Sequence, residues 1–149
     1  MRRAVRKYAA GVLLTTLAAC TNVAQATSYT MHRDPQCGCC EAWADHVSDN
    51  MDARVATVDE PDMSAFKDAQ NVPQDLRSCH TMIVSGYVIE GHVPADAIAK
   101  LLRERPQGVD GLAVAGMPLG SPGMEMGAQR QSYEVIAFGD AGRRVFARY

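Results

Sequence analysis

The 149-residue chain sets 15 Lys+Arg against 17 Asp+Glu, for a net charge of −2. That balance suits a folded domain and leaves no basic footprint for nucleic acid. Five cysteines and eight methionines are the residues that carry information about chemistry.

The N-terminus reads as an export signal. Arg2, Arg3, Arg6 and Lys7 form a basic head before a short apolar run from Ala9 to Ala19, well below the roughly 20 residues needed to span a bilayer. Two processing sites compete. Ala24-Gln25-Ala26 would release a soluble chain beginning at Thr27, whereas Leu17-Ala18-Ala19-Cys20 resembles a lipobox that would leave Cys20 acylated at the new N-terminus. Both routes lead to the periplasm or cell envelope, with membrane attachment only through the lipid of Cys20. The first 26 residues carry four of the 15 Lys+Arg and none of the acids. Residues 27–149 therefore hold a net charge of −6, and their length suits one domain.

After the signal, Tyr29–His32 predicts a short strand, and Asp34-Pro35 turns the chain toward Cys37-Gly38-Cys39-Cys40. A helix follows from about Cys39 to Met51, with Cys40, Trp43, Val47 and Met51 on one face. Cys37 thus precedes the helix and Cys40 points inward. Ala53–Val58 predicts a second strand, Met63–Ala69 a short helix, and Asn71-Val72-Pro73 a break. Thr81–Val84, Ser85-Gly86 and Tyr87–Glu90 predict a hairpin. Pro94 opens a helix carrying Ile98, Leu101 and Leu102, which Pro106 closes. Gly108 to Gly127 is a Gly/Pro/Met-rich loop, and Tyr133–Phe138 with Arg144–Ala147 forms a closing hairpin. The expected class is α/β. Strand, helix, strand, helix, hairpin, helix is the order of thioredoxin-like folds, here by analogy.

The cysteines point to metal or electrons. Thiolates this dense repel one another and oxidise unless a soft metal or a redox couple holds them. The predicted helix N-terminus favours thiolate there through its free N–H groups and dipole. Cys37 and Cys40 have the C-x-x-C spacing of dithiol oxidoreductases. Cys39 adds a third sulfur, so the same residues can bridge several Cu(I) ions. Cys79-His80, just before the third strand, is placed by the expected topology beside the first cysteines. Cys37, Cys39, Cys40, Cys79 and His80 are therefore the candidate ligands. Zinc is the alternative, in a closed tetrahedral site. Met117 and Met124 flank the Gly120-Ser121-Pro122-Gly123 turn. As soft thioethers they favour copper, through ligation or capping, with plain packing an equal alternative; Met126 is a weaker candidate. His92 reads as an ordinary residue ahead of the helix, with a supporting role behind the ligands as the alternative, His32 as an auxiliary ligand, and His46 as solvent-facing. Asp59-Glu60-Pro61-Asp62 reads as a solvated turn.

At these residues the chain resembles the CopG family of small exported bacterial copper-resistance proteins. The resemblance runs through Cys37-Gly38-Cys39-Cys40, Ser78-Cys79-His80-Thr81, Glu90-Gly91-His92-Val93-Pro94, Gly116-Met117-Pro118 and Gly120-Ser121-Pro122-Gly123-Met124-Glu125. It implies a thioredoxin-like fold that binds copper through the C-x-C-C cysteines and the Cys-His pair, in copper resistance, with redox cycling of a multi-copper cluster. Three functions are expected in order: a Cu(I)-holding envelope protein working with other copper-handling proteins, a thiol–disulfide oxidoreductase using Cys37 and Cys40, and a zinc-stabilised interaction module.

Overall fold

The computed structural model describes residues 27–149. The segment expected to be an export signal, with Cys20, lies outside the described residues. The elements are β1 (Thr27–Arg33), α1 (Gly38–Met51), β2 (Ala53–Asp59), α2 (Met63–Ala69), a 3-10 turn (Gln74–Leu76), β3 (His80–Val84), β4 (Tyr87–Glu90), α3 (Ala95–Glu104), β5 (Gly111–Ala113), β6 (Glu134–Phe138) and β7 (Arg144–Arg148). The architecture is mixed α/β, with one seven-stranded sheet in the order β2-β1-β3-β4-β5-β6-β7. β1 pairs parallel with β2 and β4 with β5, while every other neighbour is antiparallel. No helix among the described residues is long and apolar enough to cross a membrane.

α1 lays Cys40, Trp43, Ala44 and Val47 against the sheet, all buried. This is the face expected from their 3-4 spacing. Trp43 donates its indole N–H to Val93 O at 2.9 Å, joining α1 to the segment that starts α3. α3 contributes Ala97, Ile98 and Leu101 to the same core. The strand reading was accurate except at β5, a three-residue strand inside the segment expected to be loop. Gly-Leu-Ala is too short to alternate, but all three residues are buried between β4 and β6.

β3 lies inside the sheet between β1 and β4, and four of its five residues are buried. Its register with β4 pairs Thr81 with Glu90. The open end of this hairpin therefore holds Cys79-His80 beside Gly91-His92. On the other side, Arg33 of β1 pairs with His80, and Asp34 N donates to Cys79 O at 3.5 Å. The exit of β1 and the entry of β3 thus meet where α1 begins.

Candidate metal centre

Cys37 is the N-cap of α1, with extended backbone and no side-chain cap. Its position is set by its own N–H, which donates to Asp34 O at 3.0 Å, and by Arg33, whose guanidinium donates to Cys37 O at 3.0 Å. Cys39 is half-buried and Cys40 fully buried. The structure brings Cys79 to them across about forty positions: the sulfurs of Cys37, Cys39, Cys40 and Cys79 all lie within 4.8 Å of one another. Cys37 and Cys40 form a disulfide, while Cys39 and Cys79 are free. Cys79 Sγ is 3.6 Å from Cys40 Sγ, and Cys39 Sγ is 3.4 Å from Cys37 Sγ.

A second donor group shares Cys79 and adds His80 and His92, again within 4.8 Å. His92 corrects the sequence reading, which treated it as an ordinary residue before the helix. It is fully buried, and its Nε2 lies 3.4 Å from Cys79 Sγ and 3.8 Å from Cys39 Sγ. The hairpin carried the missed signal, because strands pairing 81 with 90 necessarily bring 79 and 80 to 91 and 92. His92 Nδ1 donates to Pro122 O at 2.8 Å. A carbonyl only accepts, so the ring proton sits on Nδ1 and Nε2 faces the sulfurs with a free lone pair.

His80 is 0% exposed, with Nδ1 3.4 Å from Cys79 Sγ. Its Nε2 is buried without a hydrogen-bond partner. Buried polar atoms are rarely left so; the nitrogen that faces the thiol is the other one, Nδ1. Burial drives His80 well below the usual imidazole range, helped by His92 and Lys67. Burial lowers His92 as well, partly offset by the Pro122 carbonyl. Both rings are therefore neutral, the form that ligates metals. Burial, with Cys39 adding, pushes the Cys79 thiol up to about 11. The donors are soft sulfur and neutral nitrogen, and they fit copper or zinc. Cys37 and Cys40 can join as thiolates only after their disulfide is reduced.

Beneath the centre lies a buried ion pair that the sequence reading missed. Lys67, 4% exposed, donates to Glu90 and to Thr81 Oγ1. Glu90 also accepts from Ser78 N at 2.6 Å and from Thr81 Oγ1 at 2.6 Å. One carboxylate thus holds the residues on both sides of Cys79-His80.

The long loop supports the centre more than it covers it. Gly123 has φ +81 and sits where a Cβ would come within 2.8 Å of Trp43 N and 2.9 Å of Cys39 O. The turn therefore seats its backbone directly on the first turn of α1. A cleft of about 450 Å³ opens above Cys37, Cys39 and Cys79, and Met117 lines it. Met124 does not line it: its backbone closes the turn with Gly120 and Ser121. Met126 is 61% exposed and likewise outside the cleft. His32 is not at the centre, since it pairs with Glu60 and stacks on Phe66. His46 is not merely solvated, because its Nε2 accepts from Ala95 N at 3.2 Å. The expected solvated turn is partly committed: Asp59 pairs with Arg33, and Asp62 caps α2 through Ala65 N.

Fold and centre together define an α/β protein whose Cys/His cluster can hold metal ions. Residues 76–124 match the family described as "Protein of unknown function, DUF411". No curated protein sequence matches. Two solved structures do: "Copper resistance protein copG- Form 1", at 42% identity and a TM-score of 0.77, covering 84% of this chain and 98% of that one; and "Copper resistance protein copG- Form 2", at 41% identity and a TM-score of 0.77, covering 84% and 99%. The chain belongs to the CopG copper-resistance protein family.

Proposed function

We propose that this chain is an exported envelope protein that takes up Cu(I) in copper resistance and holds it as a multi-copper thiolate cluster. The observation that carries this reading is the gathering of four cysteine sulfurs and two neutral imidazoles into two donor groups that share Cys79. Six soft or borderline donors exceed what a single tetrahedral ion uses, and thiolates bridge monovalent copper readily. The N–H groups of the first turn of α1 offset the negative charge that such thiolates accumulate. The similarity to copper resistance protein CopG supports the choice of metal. The chassis fits the thioredoxin-like reading, because β2-β1-β3-β4 pairs parallel, antiparallel, antiparallel with the cysteines after the first strand. The basic head and small-residue processing sites support the periplasmic address.

One observation favours a second reading. The Cys37–Cys40 disulfide spans C-x-x-C at a helix N-terminus, the arrangement of a thiol–disulfide oxidoreductase. Anaerobic titration of the fully reduced protein with Cu(I) and, separately, Zn(II), read by native mass spectrometry, decides among the readings. More than one copper per chain is expected. A single zinc held more tightly than copper would favour the structural-zinc module. Insulin reduction that survives Cys39→Ser and Cys79→Ser, but not Cys37→Ser, would favour the oxidoreductase.

A further inference from the structure

The cleft above the cysteines carries sulfur of a second kind on its walls. Its lining joins Cys37, Cys39 and Cys79 to Met63, the first residue of α2, and Met117, from the loop after β5. Methionine ordinarily serves as packing, as Met31 and Met82 do in this core at 0% exposure. Met63 and Met117 do not: neither belongs to a core cluster or packs against one. Met117 is 52% exposed and Met63 half-buried. The harder groups nearby also make hydrogen bonds within the chain. Asp34 accepts from Gln36 N at 2.8 Å, and Ser78 Oγ donates to Gly116 O at 2.6 Å.

We infer that Met63 and Met117 form an acquisition site at the mouth of the cleft, where Cu(I) is caught before it passes to the thiolates below. The inference rests on the copper reading above and deepens it by naming the route. Thioethers are soft, neutral and carry no proton, so they can catch monovalent copper without first losing one, and they hold it more weakly than thiolates do. The handover is a ligand exchange with no electron transfer. Copper–thioether bonds break, copper–thiolate bonds form, each thiol that becomes a ligand gives its proton to solvent, and copper stays monovalent. It operates on the chain with four free thiols, after a dithiol reductant has given two electrons and two protons to the Cys37–Cys40 disulfide.

The test is kinetic. Fully reduced protein is mixed anaerobically, by stopped flow, with the Cu(I)–bicinchoninate complex, and transfer is read from loss of the complex's colour. A Met63→Leu/Met117→Leu double variant keeps volume and apolarity. It is expected to load about tenfold more slowly, because capture at the mouth makes the next step intramolecular, and to reach the wild-type copper content. Met126→Leu, at an exposed methionine outside the cleft, is expected to load at the wild-type rate. Equal rates for the double variant and wild type overturn the inference. So does a lower final copper content, which would make the two methionines resident ligands. A wild-type chain that binds no copper overturns the copper reading itself.

Discussion

His92 gives its only ring proton to the carbonyl of Pro122 and turns its other nitrogen toward Cys79, 3.4 Å away. A residue in the hairpin-to-helix connection is thus oriented by a turn thirty positions later, and that turn is held on α1 by a glycine. The chain of contacts makes Gly123 a test of the centre, although it donates no ligand.

Gly123→Ala is expected to lower both stability and copper affinity. An L-residue in the left-handed region costs roughly 1–2 kcal/mol, and here the new Cβ also meets the backbone of Trp43 and Cys39. Thermal unfolding of the metal-free variant should fall by about 5 °C or more. Displacing the group that orients a ligand should weaken Cu(I) binding about tenfold or more, measured by competition with a Cu(I) chelator. Wild-type values in both assays would contradict the assignment of the turn as the support of His92.

The Lys67–Glu90 pair makes a second prediction. Lys67→Met leaves a fully buried carboxylate without its cation, and removing one partner of such a pair costs about 3–5 kcal/mol. The Lys67→Met/Glu90→Leu double variant removes the stranded charge and should recover part of that loss in denaturant unfolding. Recovery stays incomplete because Ser78 N and Thr81 Oγ1 lose their acceptor. A double variant no more stable than the single one would contradict this account.

Acid should destabilise the metal-free chain through its histidines. Their folded pKa values are depressed from 6.5, chiefly by burial, so the unfolded chain takes up protons first as pH falls. The stability this confers is fully present above about pH 6.5 and is lost as pH drops through the folded values. The urea midpoint should be flat from about pH 8 to 7 and decline below about 6.5. A midpoint unchanged down to about pH 5 would contradict it.

Cys79 should titrate late. With its thiol pushed up to about 11, alkylation of the disulfide-containing, metal-free protein should still accelerate between about pH 9 and 10.5. The same cysteine in the urea-unfolded chain should level off near the ordinary thiol range, about 8.5–9. Peptide mass spectrometry after timed iodoacetamide exposure distinguishes the two profiles.

Much of the arrangement was legible in the order of residues. The 3-4 spacing from Cys40 through Trp43 to Val47 placed one cysteine inward, and the strand ahead of it placed Cys37 at the helix cap. The hairpin pattern put Cys79-His80 at a strand start, which topology carries to the same corner. What escaped was whatever depended on a neighbour distant in sequence. Lys67 in Phe66-Lys67-Asp68 looks like surface charge until β4 supplies Glu90, and a three-residue β5 has no periodicity to detect. Met63 was invisible as a cleft residue because nothing local separates it from a methionine that packs.

The segment between β5 and β6 connects two strands that are immediate partners in the sheet. Its two feet are therefore planted side by side, and Gly123 rests on α1 between them. Such a segment is a hoop anchored at three points. Met117 is its one residue that lines the cleft, so changes elsewhere along it reach the sulfurs through the contacts of Gly123 with α1 and of Pro122 with His92.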